Sequence, residues 1–277
     1  MSRVRFLCVL AALGGGLTGC GSNPASPGGQ AQEMVLRTFD LPGGVKVDMV
    51  RVAAGKFTMG SPGSEPFRNS DEGPQHEVTI SKAFYLGRHE VTQGQWAAVV
   101  GTKPWSGQAG VVENPDHPAV YVAWEDAQHF VARLNAAERD SVYRLPTEAE
   151  WEFACRAGTT STWSAGNDES RLRDYVWYDM NALNAGEDYA HRVGTKLPNA
   201  WGLHDMHGNV WECVLDGLRV YAAGPQTDPS GGVGGEGHGL RGGSFNINSP
   251  FVRSARRGFF AVAARTSYLG FRLARKE

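Results

Sequence analysis

Apolar residues alternate with polar ones over residues 45–49. Val45, Val47 and Met49 occupy every second position, and a period of two is typical of a strand with one buried face. The composition of residues 55–60 and 82–88 favours the same structure, with a turn inside the first of them. We therefore predict three short strands in this part of the chain.

Helical spacing replaces the alternation in the middle of the chain. Within residues 124–138, Ala127, Phe130, Val131 and Leu134 fall at i, i+3, i+4 and i+7. Residues spaced in this way share one face of a helix with 3.6 residues per turn. This segment is the first of two main helices that the pattern predicts.

Two capping boxes mark further helix starts, since in each a threonine precedes a Glu or Gln by three residues. Thr147 with Glu150 predicts the start of the second main helix, and Gly158 is its expected stop. Thr92 with Gln95 predicts a third, shorter helix.

Regular spacing disappears beyond residue 158, where aromatic residues are scattered among glycines. The whole chain has 36 Gly, 14 Pro and 8 Trp, which indicates extensive loops packed around large aromatic anchors. The predicted class is α+β, with few strands, two main helices and extensive ordered loops.

The first residues are typical of an export signal. Arg3 and Arg5 precede an apolar run over residues 6–17, which is shorter than the roughly 20 residues that cross a bilayer. The run ends at Leu-Thr-Gly-Cys, which resembles a bacterial lipobox with Cys20 as the acylated residue. We predict a lipoprotein signal peptide over residues 1–19, with an ordinary cleaved signal as the alternative.

Composition divides the rest of the chain into a tether and one domain. Residues 20–33 are the lipidated Cys20 and a polar, Gly- and Pro-rich segment, a composition typical of a flexible linker. No second linker interrupts residues 34–277, so one domain is predicted. The expected location is a bacterial membrane, with the domain on its periplasmic face or at the cell surface.

Charge and cysteine content exclude some classes of function. The net charge is −2, which argues against nucleic acid as a partner. Cys155 and Cys213 are the cysteines that remain after Cys8 and Cys20 are assigned to the signal and the anchor. Two cysteines are too few to indicate a disulfide framework, and their spacing leaves open whether they pair.

Six separated motifs carry a family likeness. They are GKFTMG at 55–60, EVT at 90–92, YRLPTEAEWE at 143–152, GNVWE at 208–212, RGGS at 241–244 and GFR at 270–272. In this order they resemble the sulfatase-modifying-factor domain, which implies a C-type-lectin-like fold for residues 34–277.

The resemblance also implies what chemistry to expect. In the family's formylglycine-generating oxidases, two cysteines after the Gly-Gly-Ser motif hold copper, and the matching positions here are Ile247 and Val252. Neither side chain is a metal ligand. We therefore expect no copper and no formylglycine-generating activity.

His204 and His207 form an H-x-x-H group that is more typical of packing than of a metal site.

A calcium site is a second implication of the resemblance. Asp205 and Glu212 match side-chain ligands of a family calcium site, and Gly208 and Val210 match its backbone-carbonyl ligands. Oxygen donors from one tight turn suit this cation. The alternative is that both acids only form hydrogen bonds within the loop.

Residues 245–269 have an unusual composition, with no Lys, Gln, Glu, Met or Trp. The absence is similar to that in variable proteins of diversity-generating retroelements, whose variation arises at asparagine-type codons. The positions that would vary and bind ligand are Asn246, Ile247, Asn248, Phe251, Arg256, Gly258, Phe259, Phe260, Thr266, Ser267 and Tyr268.

An ordinary domain end is the alternative interpretation of this segment. In that case Phe259, Phe260 and Tyr268 belong to the core. Aromatic residues beside arginine are, however, typical of protein-binding surfaces.

The family motifs divide the arginines of the last 40 residues into two groups. Arg253 and Arg272 lie in family motifs and are expected to be buried partners of carboxylates. Arg256, Arg257 and Arg265 are expected to face an acidic partner.

Three functions follow from these features. The first is a membrane-anchored protein that presents the C-terminal face to a protein or another macromolecule. The second is a metal-dependent oxidase of formylglycine-generating or siderophore-maturation type. The third is a structural lipoprotein of an envelope complex.

Overall fold

The computed structural model describes residues 32–217, 219–231 and 237–277. The predicted signal peptide, Cys20 and most of the tether lie outside these residues. Within them, no helix is both long enough and apolar enough to cross a membrane.

Twelve short strands and four α-helices make up the regular structure of the described residues. The strands are β1 (Leu36–Asp40), β2 (Lys46–Val52), β3 (Gly55–Met59), β4 (His76–Ile80), β5 (Phe84–Gly87), β6 (Tyr143–Arg144), β7 (Trp211–Gly217), β8 (Gln226–Thr227), β9 (Gly237–Arg241), β10 (Gly258–Ala261), β11 (Leu269–Gly270) and β12 (Ala274–Lys276). The helices are α1 (Gln93–Val100), α2 (Trp124–Glu138), α3 (Glu148–Arg156) and α4 (Leu172–Tyr175).

Three sheets are formed by these strands. The five-stranded sheet has the order β1-β2-β5-β12-β6, the four-stranded sheet β10-β9-β7-β11, and the three-stranded sheet β3-β4-β8. In the first, β12 pairs antiparallel with β5 on one side and with β6 on the other. Residues that are far apart in the sequence therefore lie side by side in each sheet.

The helices begin where the capping boxes predicted. The Thr92 hydroxyl accepts from the Gln95 backbone N–H at 3.2 Å, and the Thr147 hydroxyl accepts from Glu150 at the same distance. Helix α2 occupies residues 124–138, as its apolar spacing predicted. Helix α3 ends at Arg156, and Ala157 and Gly158 that follow have φ of +46° and +85°, so Gly158 stands just past the end of the helix as expected.

The α+β class is confirmed, and the strands are more numerous than the few that were predicted. Strands β6, β8 and β11 contain two residues each, which is too short for a period to appear. All five residues of β9 are buried, so this strand shows no alternation of apolar and polar residues.

Helix α3 is held against the four-stranded sheet by buried charges. Arg241 on β9 contacts Glu152, and its Nε lies 3.4 Å from Glu148. Burial alone would raise the pKa of Glu152, but Arg156 and Arg241 together outweigh it and hold the pKa below its ordinary value. Removing one member of such a network leaves a buried charge without compensation.

Candidate functional site

The eleven predicted ligand-binding residues are all at least partly exposed. Phe251 and Phe259 are 39% and 47% exposed. Among the residues interleaved with them, Val252, Ser254 and Ala255 are almost completely buried, whereas Ala261, Ala263 and Arg265 are exposed. The predicted positions are therefore accessible, and a buried framework lies beneath the first part of the segment.

The alternative interpretation holds for part of the aromatic set. Phe260 and Tyr268 pack against the largest apolar core and are partly buried, and their ring centroids lie 6.1 Å apart. Phe259 is exposed on β10, an edge strand of the four-stranded sheet. Each ring nevertheless contributes surface to the face.

Arginines fix the framework of this segment. Arg253 donates to both carboxylate oxygens of Glu72 at 2.6 and 2.8 Å, and Arg272 makes two contacts of 2.6 Å with Glu212. Both were expected to be buried partners of carboxylates, and the structure agrees.

The expectation for Arg257 was wrong. It is 2% exposed and forms a bidentate pair with Glu148 at 2.6 and 2.9 Å, so it does not face a partner. Arg265 is exposed but pairs with Asp126 at 2.7 Å. Arg256 lies 4.8 Å from the centre of the Phe251 ring and remains partly exposed.

The outward residues fall into two groups along the chain. Ile247 belongs to the first group, and its carbonyl accepts from Asp179 N at 3.0 Å. Thr266 belongs to the second, and its carbonyl accepts from Tyr121 N at 2.9 Å. The first group is thus anchored near α4 and the second near the start of α2.

Ile247 and Val252 meet in an apolar cluster at the positions where the related oxidases carry cysteines. Val252 is buried with Trp163 and Tyr178, and Ile247 packs against this cluster. Gly243 has φ of +81°, and a Cβ at this position would lie 2.6 Å from Val252 and 3.1 Å from Ile247. Glycine is therefore required for the two side chains to approach the backbone at this turn.

His207 lies beside this apolar cluster. Its Nδ1 is 2.7 Å from the Val252 carbonyl, and its Nε2 accepts from the Ser164 backbone N–H at 3.1 Å. Since Nδ1–H donates and Nε2 accepts, the neutral ring satisfies both contacts. Burial lowers the pKa of His207 to about 4. The partner histidine of the H-x-x-H group, His204, contacts the Lys196 carbonyl at 2.8 Å. In this arrangement each of the two histidines contacts a backbone carbonyl.

The predicted calcium ligands lie in a buried acidic cluster that includes one acid missed in the sequence, Glu90. Both oxygens of Glu212 are already engaged by Arg272, and Oε2 also accepts from Trp151 Nε1 at 2.8 Å. Asp205 Oδ2 accepts from Gly194 N at 2.7 Å. Glu212 is therefore an ion-pair partner in this arrangement.

Two oxygens in the cluster have no hydrogen-bond partner among the described residues, Asp205 Oδ1 and Glu90 Oε2. Burial and the charge of Asp205 raise the pKa of Glu90 well above its ordinary value, and burial raises that of Asp205 to about 6. Two partnerless carboxylate oxygens fit a hard cation. Within the described residues, however, no group of three His, Cys, Asp or Glu side chains is arranged to hold a metal. Calcium at this turn, with Asp205, Gly208, Val210 and Glu212 as its ligands, stays a prediction. In this arrangement the carboxylate oxygens of the cluster that lack a hydrogen-bond partner within the described chain belong to Asp205 and Glu90.

Glu90 belongs to the EVT motif at residues 90–92 but is not among the predicted site residues. It lies just after β5, it is completely buried, and Asn209 Nδ2 donates to its Oε1 at 3.0 Å. Its place in that motif was the signal in the sequence that could have indicated it. Cys155 and Cys213 are buried free thiols, and burial raises the pKa of each to about 12.

Stability is predicted to fall in acid because of His207. The unfolded chain takes up the proton near pH 6.5, the ordinary value, whereas the folded protein takes it up near pH 4. The contribution of His207 is therefore complete above pH 6.5 and is lost as the pH falls toward 4. It amounts to about 3 kcal/mol. Urea unfolding at pH 7 and pH 4.5 should show a smaller loss for His207→Gln than for the unchanged protein. His129→Gln, at an exposed histidine, is the control, and an equal loss in all three proteins would contradict the prediction.

Calcium is predicted to raise the melting temperature. The cation would relieve the repulsion between Asp205 and Glu90, and binding to the folded state stabilises it. Thermal unfolding is measured in EDTA and in calcium chloride. Asp205→Asn should remove most of the gain, since asparagine keeps an acceptor for Gly194 N without the charge. No shift in the unchanged protein, or an equal shift in the variant, would exclude the site.

Comparison with known proteins agrees with the geometry. The chain is 29% identical to the formylglycine-generating enzyme of Bos taurus, over 94% of this chain and 85% of that protein. It is 28% identical to the inactive C-alpha-formylglycine-generating enzyme 2 of the same organism, over 64% of this chain and 73% of that protein. Among solved structures, Treponema denticola variable protein 1 superposes with a TM-score of 0.76 at 29% identity, covering 88% of this chain and 99% of that one.

These relatives include both an enzyme and a protein named as inactive. Residues 40–277 match the family described as sulfatase-modifying factor enzyme 1-like domain. This match spans most of the chain, and the chain belongs to that family.

Proposed function

We propose that this protein is an exported, lipid-anchored binding protein of the sulfatase-modifying-factor family. Its C-terminal segment forms the ligand-binding face, and it does not generate formylglycine. Cys20 carries the anchor, and the residues that follow it connect the domain to the membrane. The partner is a protein or another macromolecule rather than nucleic acid.

The observation that carries the proposal is the division of the C-terminal segment. All eleven outward positions are at least partly exposed, whereas residues 252–255 and Arg257 are buried. Substitution at Asn248, Phe251 or Phe259, the most exposed members, changes the surface and leaves the buried ion pairs intact. A segment with this property tolerates sequence variation at its binding face.

The chemistry of the face favours a protein partner. Phe251 and Phe259 supply exposed aromatic area, and Asn246 and Asn248 supply amide donors and acceptors. Aromatic anchors surrounded by adaptable polar groups are typical of protein-binding surfaces. Since most arginines of the segment are already paired, charge contributes less to recognition than aromatic contact does.

Similarity to a variable protein supports variation at these positions. Treponema denticola variable protein 1 shares the fold over nearly its whole length. The absence of five residue types from residues 245–269 has the same origin under this proposal. A reverse transcriptase gene beside this one, with a near copy of the segment, would support it further.

The oxidase alternative has the family in its favour and the local chemistry against it. Ile247 and Val252 cannot supply thiolates, and the remaining thiols, Cys155 and Cys213, are buried and protonated at neutral pH. A relative named as inactive indicates that the domain also exists without the activity.

We expect the face to accept substitution that the framework does not. A variant in which Asn248, Phe251 and Phe259 become Ser, Ser and Asp should keep its melting temperature within about 3 °C, since exposed positions contribute little to stability. Arg257→Ala should instead cost about 3–5 kcal/mol, because Glu148 is left buried without its partner. Thermal and urea unfolding measure both, and comparable destabilisation by the two changes would refute the proposed division.

Formylglycine-generating activity is predicted to be absent. Incubation of a sulfatase-type cysteine peptide with the purified protein, copper and oxygen should give no aldehyde by mass spectrometry. A copper-dependent aldehyde would establish the oxidase instead.

Phase separation in detergent tests the anchor. The full chain expressed in bacteria should partition into the detergent phase, and the Cys20→Ala variant should partition into the aqueous phase. Partition that does not depend on Cys20 would disprove the lipid anchor.

A further inference from the structure

A cavity of about 810 Å³ lies beside one end of the five-stranded sheet. Residues of β5, β6, β12 and α3 line it, together with the segment that follows β8. The volume lies within the usual range of sites for small ligands. None of the eleven outward positions lines the cavity, so it is separate from the proposed binding face.

Two arginines pair with the glutamates of the cavity. Glu150 accepts from Arg144 through both carboxylate oxygens, at 2.5 and 2.6 Å. Glu277 accepts from Arg51 at 2.7 and 3.1 Å. Each arginine neutralises its glutamate, so these four side chains add no net charge to the cavity.

Two lysines of the cavity have no such partner. Lys276 lies opposite Phe84 in the pairing of β12 with β5, and Lys82 precedes Phe84 by two residues. Within residues 32–217, 219–231 and 237–277, neither ammonium group donates a hydrogen bond or forms an ion pair. Asp228 is the remaining charge, and it accepts from the backbone N–H of Ser81 at 2.8 Å and from the hydroxyl of the same residue. Two unpaired positive charges therefore stand against one negative charge that has a neutral partner.

The excess of positive charge favours an anion as ligand. Like charges on neighbouring segments of a sheet repel each other, and an anion between the two ammonium groups removes that repulsion. Each ammonium group offers three donors and no acceptor. A phosphate monoester suits two of them, because it has several acceptor oxygens and a charge of about −1.5 to −2 near pH 7. A carboxylate, with two oxygens and one charge, matches a pair of lysines less well.

The floor of the cavity adds an apolar contact to the ionic one. Ile80 and Phe84 are each 2% exposed, and Ala83 is partly exposed beside them. The aliphatic parts of the two lysine side chains extend this apolar surface. A ligand that carries an apolar group next to its phosphate therefore buries more surface here than inorganic phosphate does.

The cavity lies close to the point where the described chain begins. The Gln32 side chain donates to the Arg51 carbonyl at 2.5 Å and accepts from Ala53 N at 3.0 Å, and Arg51 pairs with Glu277 in the cavity wall. Cys20 precedes Gln32 by twelve positions, and a segment of this length spans at most about 40 Å. Under the proposed function, a lipid on Cys20 keeps this end of the domain near phospholipid headgroups.

We propose that this cavity binds a phosphate ester that carries an apolar group. Lys82 and Lys276 hold the phosphate oxygens, and the apolar group lies against the floor. A membrane phospholipid and a soluble phosphate ester share this chemistry, and the position of Gln32 favours the phospholipid. The site goes beyond the proposed function, because it uses neither the outward positions nor Cys20, and only the choice of the phospholipid rests on the lipid anchor.

Isothermal titration calorimetry on the full-length protein in a non-ionic detergent tests the proposal. Phenyl phosphate carries both parts of the ligand, whereas inorganic phosphate lacks the ring and phenol lacks the charge. Phenyl phosphate should bind saturably and more tightly than either of the others. Lys82→Gln and Lys276→Gln should each weaken its binding by about tenfold, since each removes one charge-assisted hydrogen bond.

Lys103→Gln is the matched control. Lys103 is an exposed lysine that follows α1, and Ala98 of α1 lies against Gly43 in the turn between β1 and β2, at the opposite end of these strands from Gln32. This variant should bind phenyl phosphate as the unchanged protein does. All three lysines are exposed, so the melting temperatures should also agree, and a loss of affinity then reports binding rather than unfolding.

Dihexanoylphosphatidylglycerol distinguishes the two sources of the phosphate. If the ligand is a phospholipid, this short-chain lipid should bind more tightly than phenyl phosphate, with the same dependence on Lys82 and Lys276. That dependence separates binding in the cavity from uptake into detergent micelles. Tighter binding of phenyl phosphate would identify a soluble phosphate ester as the ligand.

Three results would overturn the proposal. One is no saturable binding of phenyl phosphate or of the lipid up to about 10 mM, a concentration at which any useful affinity is detected. The second is equal affinity for the unchanged protein and both variants of the cavity lysines. The third is binding of phenol as tight as that of phenyl phosphate. The variant of the binding face and Cys20→Ala should both retain the affinity for phenyl phosphate, so that failure of this site and failure of the proposed function are distinguishable.

Discussion

Buried arginine–glutamate pairs hold this protein together. Four arginines in the last 40 residues are each at most 2% exposed. Each of them contacts a glutamate that lies at least 60 positions earlier in the sequence. The pairs are Arg241 with Glu152, Arg253 with Glu72, Arg257 with Glu148, and Arg272 with Glu212. Since so much of the domain is loop, these pairs take the place that long helices and strands have in other folds.

The directional nature of these pairs explains how a loop-rich segment keeps one conformation. A bidentate contact fixes both the position and the orientation of the guanidinium, whereas an apolar contact fixes neither. Arg253 in addition donates to two backbone carbonyls, so that it sets the path of two loops at once. The outward residues are therefore carried by a backbone that does not depend on them.

Much of the fold was predictable where local rules decide it. The apolar spacing of α2 and the capping boxes of α1 and α3 depend only on neighbours in sequence, and all three helices begin where expected. Strands β6, β8 and β11 are formed by pairing with distant partners, and two residues carry no period. Arg256 and Arg257 illustrate the limit, since adjacent identical residues differ in burial only because one meets Glu148.

The candidate site also has a part that the sequence predicts and a part that depends on tertiary contacts. The outward positions followed from the composition of one contiguous segment. Glu90 was missed because its proximity to Asp205 arises from tertiary folding, and the role of Glu212 depends on Arg272, which is 60 residues away.

The position of β12 has a consequence for the order in which the domain folds. Residues 274–276 lie inside the five-stranded sheet, between β5 and β6. Strand β6 lies at the edge of this sheet, and β12 is the strand that joins it to β5. Since β12 is the last strand in the sequence, β6 can join this sheet only after the end of the chain has been synthesised.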